Sequence, residues 1–149
     1  MERVIEKARE NATKGGGPFA AAVVRGDEIV SLVANSVWFD TDPTAHAEVN
    51  AIRQATAKLG TIDLSDCELY TSCEPCPMCF GAIYWARLKK VYFAANRVDA
   101  AKAGFDDDLI YREIVLPHPD RKINFENMSV ESRLIPFQTW NNNPDKNQY

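Results

Sequence analysis

Apolar and polar positions repeat along the chain with two different periods, and the switches between them mark out the elements. Val4, Ile5, Ala8 and Ala12 recur at helical spacing, so residues 2–13 are expected to form an amphipathic helix. Gly15-Gly16-Gly17-Pro18 ends that period. Residues 19–24 and 28–34 then read as two strands, joined through Gly26-Asp27 into an antiparallel hairpin. Residues 35–43 read as a loop. A helix is expected over about 44–59, capped by Asp42 or Thr44, with Pro43 in its first turn and Gly60 at its end. Residues 67–72 give a short apolar strand, a second helix opens at Pro75 and ends near Arg87, and residues 91–95 give another strand. Past Gly104, residues 106–114 read as helical and Pro117-His118-Pro119-Asp120 as a loop. A last helix is expected over 131–140, kinked at Pro136, before a tail over 141–149 that has no apolar period.

An initial hairpin followed by strands alternating with helices predicts an α/β protein: a mixed sheet with helices on both faces. No repeat or linker breaks the pattern, so 1–149 is expected to be one domain. Composition supports a globular chain, with 46% apolar and 26% charged residues. No apolar run reaches the roughly 18 residues of a spanning helix, so no membrane partner is expected. The first residues lack the apolar core of a signal peptide, so the expected compartment is the cytoplasm. The formal net charge is −4 and the basic run Arg87-Leu88-Lys89-Lys90 is short, which argues against a nucleic-acid partner and for a small neutral substrate.

The chemistry sits in two segments. One is Thr44-Ala45-His46-Ala47-Glu48-Val49-Asn50-Ala51 and the other Ser72-Cys73-Glu74-Pro75-Cys76-Pro77-Met78-Cys79. Three of the four cysteines fall within seven residues, and in a cytosolic protein such crowding points to metal or redox chemistry before structural disulfides. With a helix starting near Pro75, Cys76 and Cys79 share one face of its first turn. The helix N-terminus favours thiolate over thiol there. His46 offers a third ligand. Two thiolates and an imidazole neutralise Zn²⁺ and leave a fourth tetrahedral position for water, as in catalytic zinc sites. Glu48, two residues beyond His46, is turned roughly 200° from it in an ideal helix. It need not be a ligand and is a candidate to take a proton from the water. A redox pair of Cys73 and Cys76, or a closed three-Cys-one-His zinc knot, uses the same spacing but leaves Glu48 without a role. The joint pattern of His-x-Glu and then Pro-Cys-x-x-Cys about thirty residues on matches the known signature of zinc nucleobase deaminases.

With these residues in hand, the chain resembles the cytidine deaminase superfamily, and within it the bacterial guanine deaminases. The likeness runs through Gly16-Gly17-Pro18-Phe19, both zinc segments, Gly81-Ala82-Ile83-Tyr84-Trp85-Ala86-Arg87 and Ala103-Gly104-Phe105-Asp106-Asp107 to the terminal Tyr149. The Gly-Phe-Asp-Asp segment and the terminal Tyr are the marks that select the guanine branch. The resemblance implies a three-layer α/β/α cytidine-deaminase-like fold with a five-stranded sheet, and one Zn²⁺ per chain on His46, Cys76 and Cys79. It implies Glu48 as proton shuttle and Asp107 as a second acid that moves a proton to the departing amine. Phe19 is implied to stack on the purine and Asn35 to hydrogen-bond it, with Ala47 and Trp85 also at the substrate. Tyr149 is implied to belong to a segment, about 129–149, exchanged within a homodimer. By pattern alone Phe19 and Trp85 read as core, Asn35 as turn chemistry and Asp106-Asp107-Asp108 as helix caps. The chain departs from the family in carrying Ala20 where Gly is expected after the stacking Phe. The added methyl either narrows the pocket or changes strand packing.

The reaction expected from the resemblance is hydrolytic. Glu48 takes a proton from zinc-activated water, hydroxide attacks C2 of guanine, Glu48 protonates N3, and ammonia leaves with help from Asp107, giving xanthine. Deamination of guanosine, cytosine or tRNA adenosine are alternatives within the superfamily. A non-catalytic zinc module acting in assembly is the alternative of another class.

Overall fold

In the computed structural model, which describes residues 1–148, the first helix forms where the periodicity places it. Helix α1 (Glu2–Thr13) buries Val4 and Ala8 on one face. The chain turns away through Gly15, whose φ of +85° suits a residue without a Cβ. Strands β1 (Ala20–Arg25) and β2 (Glu28–Ala34) pair antiparallel, in register from Ala20 opposite Ala34 to Val23 opposite Ser31, before an irregularity at Val23/Val24 near the turn.

Where a loop is expected after β2, a short helix α2 (Val37–Asp40) forms and ends at Thr41 in the left-handed region, φ 52°. Helix α3 (Ala47–Leu59) begins three residues later than expected. The cause is local: Asp42 Oδ1 accepts both the amide and the hydroxyl of Thr44 at 2.7 Å, closing an Asp turn in place of a helix cap. Gly60, φ 66°, ends the helix. Strand β3 (Glu68–Cys73) then pairs antiparallel with β1, helix α4 (Pro77–Trp85) follows, and β4 (Val91–Ala95) pairs parallel with β3.

The sheet order is β2-β1-β3-β4, so among the described residues the mixed sheet has four strands and not the expected five. After β4 the chain enters helix α5 (Arg97–Lys102) directly, held by a capping box in which Asn96 accepts from the N3 amide and Asp99 accepts from the Asn96 amide. Helix α6 (Asp108–Ile114) comes next, and no later described segment supplies ladder hydrogen bonds to β4.

Alternation along β1 separates two apolar clusters. Ala21 and Val23 join Ala47, Ala51 and Ala55 of α3, with Leu69 of β3 and Ile83 of α4. Ala20 and Ala22 join Val4 and Ala8 of α1. Alanines at i, i+4 and i+8 put no bulk between α3 and the sheet, which lets the start of this helix lie close to the β3 strand end. No described helix is long and apolar enough to cross a membrane.

The chain divides into two compact units, one over Met1–Tyr111 and the other from Arg112 onward. The second contains 3₁₀ turns at His118–Asp120 and Glu131–Leu134 and helix α7 (Ile135–Asn142). The helix expected over 131–140 is thus split, and Pro136 sits in the first turn of α7, where its missing N–H costs nothing, rather than at a kink. None of the described residues from Arg112 onward is buried.

Candidate active site

Two helix N-termini build the centre. His46 is the N-cap of α3 and Cys76 the N-cap of α4, both with extended backbone, φ −67° and φ −66°. Cys79 lies in the first turn of α4 and is fully buried. The ligand atoms of the three residues lie within 4.8 Å of one another, and each sulfur is 3.5 Å from His46 Nδ1. Zinc bonds of about 2.3 Å to sulfur and about 2.0–2.1 Å to nitrogen, set at a tetrahedral angle, place S and N about 3.5 Å apart. The three side chains therefore fit a tetrahedral zinc that keeps one position open. The proton balance of the pair agrees. Cys76 is pulled down to about 4, first by the hydrogen bond from the Cys79 thiol and then, against burial, by His46, while Cys79 is held up as the thiol by Cys76. Zinc bound here would hold both sulfurs as thiolates, displacing the proton the pair keeps without it.

Because His46 stands ahead of the helix, the ideal-helix offset between it and Glu48 does not apply, and both reach the same place. Glu48 Oε2 lies 3.4 Å from Cys79 Sγ, and Oε1 accepts the Thr71 hydroxyl at 2.9 Å. Among the acidic and basic side chains described, Glu48 alone is buried. Burial raises its pKa against the lowering effect of its own amide, Thr71 and Cys79. A carboxyl whose protonated form is favoured in this way can act as an acid as well as a base.

His46, Cys76 and Glu48 open onto a cavity of about 590 Å³. Phe19, Asn35, Ala47 and Asp107 line it with His46, Cys76 and Glu48, so most of the expected site residues come together. Phe19 meets the edge of Phe105 in a T-shaped contact, centroids 4.9 Å apart. Asn35 is buried, and its side-chain oxygen accepts from the Val37 amide at 3.3 Å. Ala47 is the first residue of α3, so its amide belongs to the unpaired helix start. Asp107 has its pKa raised, first by burial and then by the Cys76 charge.

Other placements differ from expectation. Trp85 does not line this cavity. It ends α4 and is 70% exposed, since two positions past buried Ile83 a helix has turned to its other side. Tyr149 lies outside the described residues. Cys73 stands apart from the ligand group: its thiol reaches Asn96 O at 3.7 Å and is pushed up to about 11, by burial and then by Glu48. Ala20 is buried in the α1 cluster, so its methyl changes strand packing and leaves the cavity alone. Thr71, Phe105 and Arg97 enter the site without having been assigned roles from the sequence. Only Phe105 had a signal, its place inside the Gly-Phe-Asp-Asp segment.

Residues 1–95 match the cytidine and deoxycytidylate deaminase zinc-binding region. Guanine deaminase of Bacillus subtilis (strain 168) is 51% identical over 150 aligned positions, which cover 100% of this chain and 96% of the relative. The X-ray structure of guanine deaminase from Bacillus subtilis superposes with a TM-score of 0.97 over 99% of this chain and 95% of that one. A crystal structure in complex with 2,6-diaminopurine is 42% identical, with a TM-score of 0.68 over 71% of this chain and 60% of that one. The tRNA-specific adenosine deaminase of Aquifex aeolicus (strain VF5) is 44% identical over 95 residues, 64% of this chain and 63% of the relative. The His46, Cys76 and Cys79 group is the candidate zinc site of this region, one per chain.

Proposed function

The chain belongs to the cytidine and deoxycytidylate deaminase family, and on that footing we propose that it is a zinc-dependent aminohydrolase that converts guanine to xanthine and ammonia. The observation that carries the choice of guanine is the reach of the likeness. Similarity to guanine deaminase runs the whole chain, whereas similarity to the tRNA adenosine deaminase stops at 64% of it. The cavity also offers what a flat purine needs: the aromatic corner of Phe19 and Phe105 against its face, and the polar groups of Asn35 and the Ala47 amide for its edge.

Zinc held by His46, Cys76 and Cys79 supplies, when bound, a water acidic enough to give hydroxide near neutral pH. Glu48 accepts a proton from the attacking water and returns it to N3 as the new C–O bond forms at C2. Asp107 moves a further proton to the amino group, which departs as ammonia. Phe19 holds the ring by stacking, worth about 1–3 kcal/mol, and Asn35 and Ala47 set its orientation. The test is ammonia release by the zinc-loaded protein from guanine, guanosine, cytosine, adenine and tRNA. Guanine is expected to turn over fastest, and a clear preference for any other member overturns the assignment.

The same reading makes 1–149 one deaminase domain of the three-layer type, acting in the cytoplasm. The opposed clusters on β1 support helices on both sheet faces. It also makes the enzyme a homodimer that exchanges a segment of about 129–149, with Tyr149 of that segment completing the partner's site. Support comes from the second unit, whose Val115, Ile123, Met128 and Phe137 are all exposed, leaving apolar side chains for a partner to cover.

A further inference from the structure

Glu48 is buried, and what points its carboxylate is fixed by few contacts. Burial denies it water, so its charged form depends on protein donors. One oxygen, Oε2, faces the Cys79 sulfur at 3.4 Å. Once Cys79 is a metal thiolate it has no proton to give. Among the described residues, the remaining donors are the Glu48 amide itself and the Thr71 hydroxyl, 2.9 Å from Oε1. Of these, only Thr71 belongs to another element.

Thr71 is well placed for this. It sits in β3, opposite Ala21 of β1 on one side and Phe93 of β4 on the other, so its backbone is held from both sides. It is 1% exposed. Its branched side chain is stiff about χ1. The other acceptor within reach, Ala20 O, is at 3.5 Å, the outer limit of a hydrogen bond, so the single hydroxyl proton goes to Glu48.

We propose that Thr71 is a positioning residue whose hydroxyl holds Glu48 Oε1 and thereby presents Oε2 to the His46, Cys76 and Cys79 group and the cavity. The proposal rests on Glu48 being the proton carrier. Thr71 neither lines the cavity nor belongs to the His46, Cys76 and Cys79 group, so its removal is expected to change the rate and not the binding. Misplacement of a reacting group by about 1 Å costs on the order of 10²-fold.

Thr71→Val keeps the branched shape and the strand preference but removes the hydroxyl. Relative to wild type, kcat for guanine is expected to fall about 10–100-fold, with KM within about twofold and zinc content unchanged by metal analysis. Thr71→Ser, which keeps the hydroxyl, is expected to restore most of kcat, and Thr71→Ala to behave like Val. In a Glu48→Gln background, Thr71→Val should lower the residual rate no further. If Val does not fold, the contrast of Ser with Ala carries the test. A zinc-loaded Thr71→Val or Thr71→Ala with kcat within twofold of wild type overturns the proposal, as does Ser losing as much kcat as Ala. If Glu48→Gln itself retains full turnover, the reading of Glu48 falls and Thr71 with it. If Glu48→Gln is inactive while Thr71→Val is normal, only the role of Thr71 falls.

Discussion

Replacing Glu48 with glutamine alters one group of a buried side chain and almost nothing of its size. In the structure, Oε1 accepts the Thr71 hydroxyl at 2.9 Å and Oε2 lies 3.4 Å from the Cys79 sulfur. A carboxamide keeps the Thr71 contact through its oxygen, and with Cys79 as a metal thiolate its NH₂ can donate to that sulfur in place of the bond the Cys79 thiol now gives. Fold and zinc content should therefore survive. What disappears is the exchangeable proton. One general acid–base transfer contributes about 10²–10⁴-fold, and Glu48 serves both uptake and delivery, so kcat for guanine is expected to fall about 10⁴-fold, or about 5.4 kcal/mol of barrier. KM should change little. Stability should move the other way. Burial raises the folded pKa of Glu48 above its unfolded value. Its contribution is then complete below the unfolded pKa and is lost as pH rises through the folded pKa. Glutamine has nothing to lose there, so zinc-depleted Glu48→Gln should melt above zinc-depleted wild type near neutral pH, with the gap closing toward about pH 4. The assays are xanthine formation followed by absorbance, metal analysis, and thermal melts across pH. A zinc-loaded variant within tenfold of wild-type kcat refutes the mechanism, and melting curves that stay parallel at every pH refute the burial argument.

Cys76→Ser and Cys79→Ser should lose zinc on metal analysis while Cys73→Ser retains it, because only the first two sulfurs stand 3.5 Å from His46 Nδ1; zinc loss from Cys73→Ser would mean a closed site. Asp107→Asn should slow guanine turnover about 10²-fold or more. Asp106→Ala should instead cost about 1 kcal/mol of stability in a denaturant melt, since Asp106 accepts the Asp108 amide at the start of α6, and equal kinetic effects at both positions would assign both to capping. Phe19→Leu should raise KM by about 5–150-fold, the equivalent of about 1–3 kcal/mol of stacking, and an unchanged KM would place Phe19 in the core alone. Deleting 145–149 should cut turnover with zinc retained, and mixing that chain with Glu48→Gln should restore part of it if segments exchange. Mixed dimers without recovery would exclude exchange.

Much of the fold was readable because its signals are local. The residues of α1 and the hairpin carry their own periods and turn residues, and Gly60 ends α3 where a glycine can take φ 66°. Helix α5 was not read, although Asn96 and Asp99 form a capping box, because a helix of six residues offers too little apolar period to register. The strand count is not a local property. It depends on which segment lies beside β4, and no pattern within one segment reports its neighbour. Trp85 shows the same limit: Ile83 and Trp85 are both apolar in one helix, and only the packing distinguishes the buried one from the exposed one.

At the site, the residue types were legible and their setting was not. The sequence put His46 and Glu48 in one helix, where their sides diverge, and Cys76 and Cys79 in one turn. In the structure both helices start later, at Ala47 and Pro77, and the first ligand of each segment is an extended N-cap. That small shift carries the chemistry. An N-cap side chain folds back toward the first turn of its helix, so Cys76 meets Cys79, and His46 no longer opposes Glu48. Two helix starts aimed at one point also bring their partial positive charge to bear on the thiolates and on the buried carboxylate. The same helix starts that favour the anionic ligands therefore favour an ionised Glu48, opposing the burial that raises its pKa. Burial and these opposing influences meet on the one carboxyl that the mechanism uses to take up and deliver a proton. Thr71 supplies what helix position cannot, a fixed direction for the carboxylate.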